Sequence, residues 1–80
     1  MFLLEVYDKS IYSGRPSLFK RRIAHDISSI EDWIKTNAPK WAILPVEVVF
    51  DDDDCSGEVY LRGEKTSPIF TFCIHNIAVI

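Results

Sequence analysis

Of the 80 residues only two are cysteines, Cys55 and Cys73. Two cysteines cannot build a disulfide framework, and the absence of a CxxC pair removes the commonest redox and zinc signatures. Glycine and proline are also scarce, at three and four, and no Gly-, Ser- or Pro-rich run marks a linker. No stretch reaches the roughly 18 apolar residues that a membrane span needs. The opening segment MFLLEVYDKS lacks a basic start and is interrupted by Glu5, so it does not read as a secretory signal. A glycine-rich phosphate loop and a Ser-centred elbow are missing as well. The expectation is one domain (residues 1–80) in the cytoplasm with both thiols reduced, needing no cofactor and not acting as an enzyme.

What is present is an ordinary globular mixture, 48% apolar and 26% charged, in a chain whose core must be thin for its size. Charge is unevenly placed. Residues 1–25 carry five cations against two carboxylates, and residues 26–80 carry four cations against ten. Six of those carboxylates, Glu47, Asp51, Asp52, Asp53, Asp54 and Glu58, fall within twelve residues. The chain is dipolar along its length.

FLLEVYD reads as a strand closed by the turn cluster KSIYSGRPS. The following LFKRRIAHDI is ambiguous, because Phe19, Ile23, Ile27, Ile30 and Ile34 recur at helical spacing. A strand to about Asp26 is favoured, since Ser28 with Glu31 three residues on forms a capping box for a helix that starts there. That helix buries Ile30, Trp33 and Ile34 and ends near Asn37, ahead of Pro39. KWAIL is a short apolar link. VEVVF, with Val46, Val48 and Phe50 on one face, and GEVYLRG are strands joined by DDDDCSG. The last strand, IFTFCIHNIAVI, runs to the carboxyl end. The fold class expected is α+β: an antiparallel sheet of four to five strands with one helix on one face.

Both faces of the last strand look apolar, and Leu3, Tyr7 and Val49 fall on the side a single helix leaves uncovered. A large bare apolar face marks an interaction site, so a partner or a second copy is expected to cover it. Trp33, Trp41, Tyr60 and Phe72 are the candidate anchors, since Trp and Tyr dominate interface hot spots. The acidic run Glu47, Asp51–Asp54 and Glu58 is expected to steer a partner or to imitate nucleic-acid charge. As a calcium loop it fails at its twelfth position, which is Gly63. Arg15, Lys20, Arg21 and Arg22 offer an alternative nucleic-acid surface, although the total charge is negative. Cys73 and His75 share a strand face, yet a zinc site would need Cys55 and His25 from distant segments, so no metal is expected.

Three stretches carry a family likeness: EDW ending at Trp33, FDD at Phe50, Asp51 and Asp52, and EVYLRG from Glu58 to Gly63. In these the chain resembles the Dmd-type antitoxins of T-even phages, which have a strand pair, a Trp-bearing helix and strands joined by an acidic turn. The anti-CRISPR proteins share the same general build. The resemblance implies a non-enzymatic inhibitor of a host protein, either a toxin nuclease or a defence complex. It spans residues 2–63, and the last strand has no counterpart in it, so no toxin-contacting position is carried over. Two rivals are an RNA- or DNA-binding domain using the basic strand and a structural homo-oligomer such as a homodimer. A membrane is not an expected partner.

Overall fold

The computed structural model describes residues 1–9, 17–53, 55–64 and 66–77. Among them five strands form a single antiparallel sheet: β1 (Phe2–Asp8), β2 (Ser17–Ala24), β3 (Val46–Phe50), β4 (Ser56–Leu61) and β5 (Phe70–Asn76), in the order β2-β1-β5-β4-β3. Helix α1 (Ile27–Asn37) follows β2 and passes into a 3-10 turn, Ala38–Trp41. The chain is thus α+β, with the final strand inserted at the centre of the sheet.

Alternation along the strands explains which face the helix covers. Val6 pairs with Phe72, Leu4 with Ile74, Gly57 with Phe72 and Val59 with Phe70. These positions point to one side and meet Ile30, Ile34 and Ala38, all fully buried. The aromatic residues close that layer. Trp41 lies 5.4 Å from Phe70 and 5.9 Å from Trp33, with Phe19 at 5.5 Å from Trp41. Such edge and tilted contacts contribute beyond buried area alone.

The β1–β2 ladder is regular from Phe2↔Ala24 to Val6↔Lys20 and then slips, since Tyr7 pairs with Leu18. The extra residue is Phe19. This bulge turns Phe19 toward the helix side, where it joins Trp41 and Phe70. A strict alternation would have placed it on the opposite side from Lys20 and Arg22.

Three sequence expectations are corrected. The helix starts earlier than the Ser28 capping box implies: Asp26 is the N-cap, in extended geometry, and its Oδ1 accepts the Ser29 N–H at 2.7 Å. Aspartate outcompetes serine here because a full charge also meets the positive end of the helix. The apolar link after α1 contains helical turn: Pro39 at its start fits a first-turn position, where a missing N–H costs nothing. Finally, β5 ends at Asn76, and residues 78–80 of the expected strand lie outside the described residues.

The cap makes a pH prediction. Hydrogen bonds from Ser29, backbone first, hold the Asp26 carboxyl below its ordinary value of 3.8. A depressed carboxyl stabilises the fold above its unfolded pKa and loses that contribution as pH falls through the folded one. Asp26→Ala should therefore unfold at lower urea than the wild type at pH 7, with the difference closing in acid as the wild-type carboxyl is protonated below its ordinary range. Equal urea midpoints at pH 7 would remove the cap from the account.

Candidate functional site: the open face of the sheet

The face away from α1 is built by the other half of each alternation. From β2 it takes Leu18, Arg21 and Ile23, and from β1 Leu3, Glu5 and Tyr7. From β5 come Thr71, Cys73 and His75, with Ser56, Glu58 and Tyr60 from β4 and Glu47 and Val49 from β3. Leu3, Tyr7 and Val49 stand where the sequence places them. The described residues nevertheless do not make it the bare apolar flank expected there. The pleat that places those three on the open side also places Glu5, Arg21, Glu47 and Glu58 there, so the surface is a mosaic.

At its centre Glu5 joins three strands. Its Oε2 accepts from Arg21 Nε at 3.2 Å and Nη2 at 3.0 Å, and its Oε1 lies 3.1 Å from His75 Nε2. Register brings these groups together: Arg21 and Cys73 are the cross-strand neighbours of Glu5, and His75 is the next position on the same face of β5. The Glu5 side chain is only 14% exposed, which screens the pair less than an open surface would. Glu5 is the residue the sequence reading missed. A lone carboxylate at an alternating position inside FLLEVYD was the available signal, but its partners depend on strand order.

The same geometry answers the cysteine readings. His75 is turned to Glu5, and the Cys73 thiol is pushed up by burial, with the Glu5 and Asp51 carboxylates adding to the effect. A thiol held in its protonated form is a poor nucleophile. Cys55 is exposed and Cys73 half-buried, and both are free. Iodoacetamide at pH 8 should therefore label Cys55 well before Cys73, a sequence that peptide mass spectrometry reads directly; simultaneous labelling would contradict the burial described here.

The remaining candidates are scattered by the fold. Phe72, 1% exposed, packs on Gly57 and lies 5.3 Å from the Phe50 ring, so it is core and no anchor. Trp33 and Trp41 are half-buried on the helix side; Arg22 lies over the Trp33 ring at 5.4 Å. Tyr60 alone of the four lies on the open face. Partial burial and the Glu58 and Asp51 carboxylates push its phenol upward, so it stays a hydrogen-bond donor, 3.4 Å from Glu58.

Of the acidic run, Glu47 and Glu58 lie on the open face at the β3–β4 end of the sheet. Asp51, Asp52 and Asp53 are exposed in the turn between those strands. Asp51 accepts the Ser56 hydroxyl at 2.6 Å and Asp53 the Cys55 N–H at 3.0 Å. Asp54 lies outside the described residues, as does Arg15. Among the described residues no group of three or more His, Cys, Asp or Glu is placed to hold a metal ion.

The basic run is divided by β2 itself: Arg21 faces the open side, while Lys20 and Arg22 lie over Phe19 and Trp33 on the helix side. Among the described residues Lys20, Arg21 and Arg22 do not form one continuous phosphate-binding surface. The charge asymmetry of the sequence becomes an asymmetry across the sheet, basic at the β2 edge and acidic at the β3 edge. Four strand spacings separate the two, about 19 Å.

No family model, no curated protein and no solved structure matches the chain. Among the described residues no helix is long and apolar enough to cross a membrane.

Proposed function

We propose that this chain is a small non-enzymatic protein that binds a larger protein through the open face of its sheet and inhibits it. The inhibitor class is the one the antitoxin-like stretches suggest, a blocker of a host toxin nuclease or defence complex. The observation that carries the reading is the make-up of the open face. Leu3, Tyr7 and Ile23 stand beside the ordered Arg21–Glu5–His75 network, and Tyr60 shares the same face further across the sheet. Mixed surfaces of this kind, apolar in patches and rich in Tyr and Arg, are what transient protein interfaces use. Tyr60 replaces the four-aromatic anchor set, and the exposed Asp51–Asp53 turn at the rim supplies long-range steering toward a basic partner.

Affinity capture from host cells with three baits tests this: wild type, Tyr60→Arg on the open face, and Lys40→Glu on the 3-10 turn as a control. One protein should be retained stoichiometrically by wild type and Lys40→Glu. Loss of the Tyr60 anchor should weaken retention by about 30-fold, the equivalent of a ~2 kcal/mol hot spot. The captured protein should lose its activity when the wild-type chain is added. Equal retention by Tyr60→Arg would move the interface elsewhere, and a fully active complex would sink the inhibitor reading.

A further inference from the structure

Among the described residues the sheet has two unpaired edges, β2 and β3, and they match each other in three independent ways. The first is length. Beyond the bulge at Phe19, β2 offers the regular segment Lys20–Ala24, and β3 is the five-residue Val46–Phe50. The second is charge, since Lys20, Arg21 and Arg22 sit on one edge while Glu47 and the Asp51–Asp53 turn sit on the other.

The third is the phase of the backbone. The Asp51 N–H donates to Ser56 O and the Arg62 N–H to Pro45 O. Glu47 and Val49 therefore turn their peptide groups to β4, and Val46, Val48 and Phe50 turn theirs outward. On the far side, Ile77 N–H donates to Met1 O and Lys9 N–H to Ile69 O. The odd residues of β1 thus face β5, and its even residues face Lys20, Arg22 and Ala24. Arg21 and Ile23 are left with outward N–H and C=O groups.

All neighbouring strands are antiparallel, so in a five-strand sheet β2 and β3 run the same way. A second copy displaced sideways, its helix on the same face, brings its β3 alongside β2 as a parallel pair. With Arg21 set beside Glu47 of the next copy and Ile23 beside its Val49, four backbone bonds form without adjustment of phase. Arg21 N–H meets the next copy's Val46 C=O, and its C=O meets the Val48 N–H. Ile23 meets the Val48 C=O and the Phe50 N–H in the same manner. The side chains agree with this register: an ion pair and an apolar pair share the open face. The Arg21 guanidinium uses Nε and Nη2 on Glu5, and its fork has further N–H groups to offer.

We propose that the chain associates with copies of itself head to tail, the β2 edge of one against the β3 edge of the next. Two β2 edges paired together would set three cations against three, and two β3 edges would bring their acidic turns together. The unlike pairing escapes both. Because the two surfaces differ and each copy is displaced sideways from the last, every added copy leaves one β2 and one β3 edge open, and the product is a row of copies. Free edges are normally guarded by charge and bulges; here the charge on one edge complements the charge on the other. This inference does not depend on the inhibitor reading.

Sedimentation of the wild type up to about 1 mM, the weak end of specific association, tests it. Mean mass should rise past that of a dimer without a plateau and fall in high salt as the Arg21–Glu47 pair is screened. Ile23→Pro removes an outward N–H at an exposed edge position, where proline is tolerated, and should be monomeric with an unchanged far-UV spectrum. Glu47→Lys should be monomeric too. Each variant keeps one good edge, so an equimolar mixture should form a 1:1 dimer and nothing larger. Should one variant not fold, the other added to wild type should shorten the rows by capping them. A wild type that stays monomeric, a plateau at the dimer, or assembly unaffected by both variants would overturn the proposal.

Discussion

Gly57→Val is expected to cost about 3 kcal/mol or more, combining overpacking with displaced aromatic packing. Gly57 is the second residue of β4, paired with a strand on each side, where glycine ordinarily weakens a strand. It is there because both the backbone and a ring crowd the position: a Cβ at position 57 would overlap the Val49 carbonyl oxygen and would fall 2.5 Å from Phe72 Cζ. Phe72 is the cross-strand partner of Gly57, and its ring is wedged against Phe50. It has nowhere to move without opening the core between β3 and β5. An 80-residue domain has roughly 4–12 kcal/mol of stability in total, so the valine variant should be largely unfolded or should melt far below wild type. Gly57→Ala should be milder. Combined with Phe72→Leu, which removes the ring's outer atoms, it should cost less than the sum of the two single changes, because both act on the same space. Urea unfolding of the four proteins gives the cycle; strict additivity would show that the ring does not explain the glycine.

How much of this was legible beforehand depends on whether the information is local. β1, β3, the end of α1 and the inward set Val46, Val48 and Phe50 follow from alternation and from Pro39, all short-range signals, and they stand as read. The bare apolar face did not survive, and the reason is register. Glu5, Arg21 and His75 lie far apart in the chain, and only the order β2-β1-β5 makes them neighbours. A reader of the strands singly counts Leu3, Tyr7 and Val49 as exposed grease and cannot see the ionic network set among them. Phe72 failed as an anchor for a related cause. On an isolated β5 it is one of several large apolar residues, and only the pairing with Gly57 shows that its ring is committed inward. The acidic turn, by contrast, was legible, since four consecutive aspartates between two strands have no buried place to go.

The contrast between Ile23 and Ile34 tests the most ambiguous stretch of the sequence. Phe19, Ile23, Ile27, Ile30 and Ile34 keep helical spacing, and a single long helix would bury all of them along one stripe. The structure divides the stripe at Asp26. Ile34 is fully buried beneath the sheet, and Ile23 is 58% exposed at the β2 edge. Ile34→Ala should therefore cost about 2–5 kcal/mol, the transfer and cavity terms of a core isoleucine. Ile23→Ala should stay within roughly 0.5 kcal/mol, as surface changes do. The two substitutions delete the same atoms, and backbone propensity favours alanine in the helix and isoleucine in the strand, so a larger loss at Ile34 reports its burial. Urea midpoints for both variants decide it. Equal, large losses would mean that residues 18–26 are packed as helix after all; the strand edge, its outward peptide groups and the Arg21–Glu5 contact would then be lost together.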